Sequence, residues 1–106
     1  MSTGDLIVFC TLPATEQAVA VARTLVDERL AACVNLVPGV RSIYRWDGKI
    51  SDDAEVLCVI KTRRAKFEPL RARIAELHSY DVPEIIALPV ERGHAPYLDW
   101  LADATV

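Results

Sequence analysis

The order of apolar segments predicts an α+β fold for this chain, β-α-β-β-α-β with one further helix at the C-terminus. Three observations carry the prediction. Residues 6–10 form a continuous apolar run, residues 31–61 read as one long hairpin, and two segments show apolar residues at helical spacing. Together they give the split β-α-β, ferredoxin-like plan, with two helices on one face of an antiparallel sheet.

The run at 6–10 is apolar at every position and so reads as a central strand; Pro13 stops it, having no N–H to give a ladder. Thr15 is the expected N-cap of a helix over 15–30, with Glu16 in its first turn and Val19, Ala22, Val26 and Leu30 as its apolar stripe. A strand over 33–37 follows, which Pro38-Gly39 breaks or bulges. From Val40 onward Val40, Tyr44, Trp46 and Ile50 are apolar while Arg41, Arg45, Asp47 and Lys49 are charged, the period of a strand with one buried face; Ser42 and Ile43 are out of phase. Asp47-Gly48 is a type I′ turn signal, because both central positions need positive φ, and a turn over 51–53 is the weaker alternative. The returning arm, 55–61, is apolar on both faces in its middle and therefore asks for cover on both.

Phe67, Leu70, Ile74 and Leu77 then form a second helical stripe, with Glu68, Arg71, Arg73 and Glu76 on the wet face. Pro69 is tolerated only in a first turn, so this helix begins near 65–67. Pro83 opens a strand over 84–90 whose Pro89 marks an edge or the end of pairing. Beyond Gly93, a short helix has Pro96 near its start and Tyr97, Trp100 and Leu101 as its sticky face. Two helices cover one sheet face only, and the apolar face left over predicts a closed, symmetric homo-oligomer.

At 106 residues, 52% apolar and 25% charged, the chain is expected to form a single domain over 1–106. Its net charge of −3 excludes the basic footprint that nucleic acid or an anionic membrane surface requires. No apolar run is long enough for a membrane span and Met1 to Asp5 carry no signal-peptide pattern, which makes a cytoplasmic location the expectation. Three cysteines, Cys10, Cys33 and Cys58, sit among apolar neighbours without a C-x-x-C pair and read as reduced, mostly buried thiols.

The four glycines are scattered, so no phosphate loop is present, and no Ser or Cys has a base at a catalytic spacing. A thiol and an imidazole suit copper or zinc, which makes Cys10 and His78 candidate metal ligands. The plain alternatives are a buried strand thiol and a histidine stabilised by a helix C-terminus. His94, beside Gly93 in a turn, reads as solvated. Glu55 and Lys61 share a strand face but lie roughly 20 Å apart at ~3.3 Å per residue, so each flanks a cleft separately or is a solvated strand end. Tyr44 and Trp46 read as interface or core aromatics.

The strings Leu30-Ala-Ala-Cys-Val-Asn-Leu-Val-Pro-Gly, Ser42-Ile-Tyr-Arg-Trp-Asp-Gly-Lys-Ile, Ile60-Lys-Thr and His78-Ser-Tyr-Asp-Val-Pro-Glu-Ile carry a resemblance over nearly the whole chain. In that order they resemble the CutA divalent-cation tolerance family. The resemblance implies a ferredoxin-like subunit in a stable homotrimer, cytoplasmic in bacteria, non-enzymatic, and linked to copper and other divalent cations. Cys10 matches the family's strand-one cysteine and His78 the histidine before its Tyr-x-x-Pro-Glu motif, both as metal ligands. Leu77 stands where some members have a second histidine, which leaves two donor side chains and implies weak copper binding. Ser79 replaces the usual proline of the turn. The trimeric plan is similar to that of the PII signalling proteins. By that analogy Tyr44, Trp46, Glu55, Lys61, His78, Tyr80 and Glu84 are positions that line an intersubunit cleft for a small ligand or partner.

Overall fold

In the computed structural model, which describes residues 3–106, the strands are β1 (Asp5–Leu12), β2 (Cys33–Trp46), β3 (Lys49–Arg63) and β4 (Ile86–Pro89). The helices are α1 (Thr15–Asp27), α2 (Phe67–Leu77), entered through a 3-10 turn at Arg64–Lys66, and α3 (Ala95–Ala104). All pairings are antiparallel and the strand order is β2-β3-β1-β4, so the expected split β-α-β topology is the one observed.

Register decides which side chain meets which layer. Leu6, Val8, Cys10 and Leu12 on β1 share a face with Val56, Cys58 and Ile60 on β3, and this face is buried against Ala18, Val21 and Leu25 of α1 and Leu70 and Ile74 of α2. The odd residues of both strands look the other way. On that open face Ile7, Phe9, Leu57 and Val59 are half-buried while Val37, Ile86 and Leu88 are exposed. The third helix crosses this face at one end: Arg63 Nε donates to Thr105 Oγ1 at 2.7 Å, its Nη2 donates to the Thr105 carbonyl, and Leu101 and Thr105 are buried beneath.

Asp47 and Gly48 have φ of 52° and 76° and close the hairpin with Trp46 opposite Lys49, the expected two-residue turn. The Pro38-Gly39 break is a bulge: Val37 faces Leu57 and Val40 faces Glu55, one extra residue on β2. Gly39 there has φ of 75°, a conformation glycine adopts at no steric cost.

Several expectations are corrected. Helix α1 stops at Asp27, because Arg29 takes a left-handed φ of 59° and the Leu30 N–H turns back to the Leu25 carbonyl at 2.9 Å. Its N-cap is Ala14, not Thr15, and its buried stripe is Ala18, Val21, Ala22 and Leu25, with Val19 and Val26 exposed. Ile50 does not share a face with Tyr44 and Trp46, because a two-residue turn sets Trp46 opposite Lys49 and Arg45 opposite Ile50. None of Tyr44, Trp46 and Ile50 is buried within one chain, and of the α3 face only Leu101 is; Tyr97 and Trp100 stand out and pack at a tilt, their ring centroids 5.4 Å apart. The last strand is Ile86–Pro89, shorter than 84–90 at both ends.

Candidate functional site

The bulge in β2 hands the open face from odd residues to even ones. Beyond it Ser42, Tyr44 and Trp46 lie on the same side as Glu55 of β3 and, two strands over, Thr11 of β1. The segment between α2 and β4 folds over these residues, and the space between is a cleft of about 810 Å³ lined by them together with Ser79, Tyr80, Asp81, Val82, Pro83 and Glu84. Five of the seven cleft candidates therefore meet, Tyr44, Trp46, Glu55, Tyr80 and Glu84, while His78 lies outside the lining. Lys61 does not join them. It sits six residues along β3 from Glu55, between Ile7 and Cys33 at the α3 end of the sheet.

Glu55 is buried at 6% exposure, and its Oε2 accepts the Tyr80 hydroxyl at 2.8 Å. Partial burial, then the hydrogen bond to Glu55 and the charge of that carboxylate, push the Tyr80 phenol up to about 12. On the hairpin the Tyr44 hydroxyl donates to Asp53 Oδ2 at 2.5 Å, and that bond raises the Tyr44 phenol above its ordinary value. Both rings thus present their faces with hydroxyls committed to carboxylates.

Beneath the cleft, the Thr11 carbonyl is where the two metal candidates converge. His78 ends α2, and its Nδ1 accepts the Tyr80 backbone N–H at 3.1 Å. Nε2 is therefore the protonated nitrogen, donating to the Thr11 carbonyl at 2.7 Å. The Cys10 Sγ lies 3.8 Å from the same oxygen. Cys10 is 1% exposed, and burial, followed by Cys58, Glu84 and Glu55 as neighbours, pushes its thiol up to about 12. Both donors are thus engaged within the chain and protonated. A metal here must take the place of the thiol proton and of the bond from His78 to Thr11. Among the described residues, no three His, Cys, Asp or Glu side chains are grouped to hold a metal ion. All three cysteines are free, and no helix is long and apolar enough to cross a membrane.

Sequence reading misses Thr11, Ser42, Ile43, Asp53 and the run Ser79, Asp81, Val82 and Pro83 as parts of this site. Proximity of the last four to Tyr80 and Glu84 is the available signal; for Thr11 there is none, since only the register of β1 against β3 brings it there.

Residues 6–104 match the family model for the CutA1 divalent ion tolerance protein. A "Divalent-cation tolerance protein CutA" of Thermus thermophilus is 50% identical over 99 residues, which span 93% of this chain and 96% of that protein. "Protein CutA, chloroplastic" of Arabidopsis thaliana is 47% identical over 101 residues, 95% of this chain but only 56% of the plant protein. Among solved structures, the divalent cation tolerance protein (Cut A1) from Thermus thermophilus superposes with a TM-score of 0.94 at 49% identity, covering 96% of this chain and 99% of that one.

Proposed function

We propose that this chain, which belongs to the CutA1 divalent ion tolerance protein family, works as a single-domain, non-enzymatic, homotrimeric cation-tolerance protein that binds copper weakly through Cys10 and His78. The observation that carries the metal assignment is the convergence of Cys10 Sγ and His78 Nε2 on one carbonyl, that of Thr11. A thiolate and an imidazole are a donor pair suited to copper. Weakness follows from the proton that the buried thiol must first release and from Leu77, which offers no third donor. The trimer is supported by the apolar open face, where Val37, Ile86 and Leu88 lie bare in one chain, and by the hairpin tip with Tyr44 and Trp46 on one side and Ile43 and Ile50 on the other. A cytoplasmic location suits the three free cysteines, which a reducing compartment preserves.

Calorimetric titration with Cu(I) and Cu(II), run with light scattering on the parent, Cys10→Ser and His78→Ala, tests this reading. The expected result is one weak site per subunit, lost in both variants, on a particle of three chains. Copper bound equally well by His78→Ala overturns the ligand assignment.

A second reading is favoured by the cleft of about 810 Å³, a volume that suits a small molecule. In it the trimer is a PII-like signalling or scaffold protein whose clefts bind a metabolite or a partner. Ligand-induced thermal shifts across a small-molecule panel, measured with metal removed, test it through mass action.

A further inference from the structure

The chemistry of the cleft selects the kind of molecule it takes. Its walls offer three aromatic rings, Tyr44, Trp46 and Tyr80, and three carboxylates, Glu55, Asp81 and Glu84; among the described residues no Lys or Arg lines it. An anionic ligand such as a phosphate or a carboxylate would meet repulsion from those acids with no base to answer it. Aromatic faces are the negative side of their quadrupole, and tryptophan is the strongest of them toward a cation. Tyr44 and Tyr80 each donate their hydroxyl to a carboxylate, which leaves their rings more electron-rich.

Glu55 supplies the directional element. It is more than nine-tenths buried, and the Tyr80 hydroxyl is the side-chain donor it receives among the described residues, bound at Oε2. A carboxylate accepts about four hydrogen bonds, so a strong acceptor remains at the cleft for an N–H donor. Trp46 and Tyr44, about half and two-fifths exposed on the hairpin, give the flat apolar surface over which a ligand body lies.

We propose that this cleft is a site for a small protonated organic amine, its ammonium group bonded to Glu55 and its apolar body held against Trp46 and Tyr44. The proposal rests on the reading of the cleft as a ligand site and is independent of copper at Cys10 and His78. A hydrogen bond to a charged group and a desolvated cation–π contact each contribute enough to separate an amine from its neutral isostere by roughly tenfold or more.

The test titrates the intact protein, with EDTA present so that copper plays no part, with phenethylammonium chloride and with 2-phenylethanol, which keeps the body and drops the charge. Calorimetry reads affinity, and light scattering on the same samples reads the oligomer. The expected result is saturable amine binding, the alcohol weaker by roughly tenfold or more, and a similar loss in both Glu55→Gln and Trp46→Ala. Trp46 is about half exposed within one chain, so its variant folds if Glu55→Gln does not, and light scattering on it separates a lost ligand contact from a lost subunit contact. Equal binding of amine and alcohol, undiminished binding in the variants, or no saturation below about 10 mM overturns the proposal. Amine binding by a particle that is not a trimer still supports it and counts against the trimeric reading alone. Saturation of the cleft by an anionic control, phenylacetate, in place of the amine overturns it while leaving a ligand site in place.

Discussion

Raising the pH is the sharpest perturbation for the proposed Cys10 and His78 copper site. Burial moves the Cys10 thiol from 9.0 to about 12. That difference corresponds to about 4 kcal/mol, or roughly a thousandfold weaker metal binding at neutral pH than an unburied thiol would show. Each copper held by the thiolate expels one proton, so the apparent binding constant should rise about tenfold per pH unit. For an ordinary thiol that rise levels off near pH 9; for Cys10 it should continue to the alkaline limit of the folded protein, with no plateau up to pH ~10.5. Calorimetry in buffers of different ionisation enthalpy counts the released protons directly, with a competing chelator to keep the range measurable. A plateau by pH 9, a slope of zero, or the same slope in Cys10→Ser would refute the reasoning.

Three further outcomes are expected. Cys10 and Cys58 are raised by burial to about 12 and about 11, above the ordinary 9.0, so the stability they contribute is complete below pH 9 and is lost as pH rises toward those values; the Tm should fall between pH 9 and 11, and less steeply in Cys58→Ala. Leu88→Lys places a charge on the exposed apolar edge of the open face and should lower the particle mass seen by light scattering, an unchanged mass showing that this edge is no subunit contact. Arg63→Ala removes both bonds to Thr105 and should cost about 1–3 kcal/mol in urea unfolding, with faster hydrogen exchange confined to α3.

The parts of the fold that are legible in the sequence are those written in local chemistry. Asp47-Gly48 announces its turn because few residues accept positive φ, and Phe67, Leu70, Ile74 and Leu77 announce α2 because charged residues separate them. Helix α1 is legible as a helix but not in its phase: residues 18–22 are apolar without interruption, so periodicity holds no contrast and only packing against the sheet selects Ala18 and Val21 over Val19. The shortness of β4 is not readable, since its pairing ends at Phe9 opposite Ile86 although β1 runs on to Leu12, and nothing in the local sequence marks that point. The cleft is half legible. Parity puts Tyr44 and Trp46 together, but their meeting with Glu55 and Thr11 depends on a bulge and on two strand registers, which are properties of the assembled sheet.

The bulge at Pro38-Gly39 divides the sheet into two reading frames. The inner frame, from Cys33 to Val37 against Leu57 to Lys61, belongs to the core; the outer one, from Val40 to Trp46 against Lys49 to Glu55, belongs to the cleft. Because the bulge takes up the one extra residue of β2 without moving β3, removing a single residue at the joint would close a regular ladder in which Val40 still faces Glu55, and Tyr44 and Trp46 would keep their side. A further deletion between Val40 and Tyr44, with no bulge left to take it up, would shift β2 by one residue against β3 and send Tyr44 and Trp46 to the opposite side. The joint therefore tolerates the loss of its extra residue, whereas the hairpin tip is held to two residues, Asp47 and Gly48, by their positive φ and by the register they set.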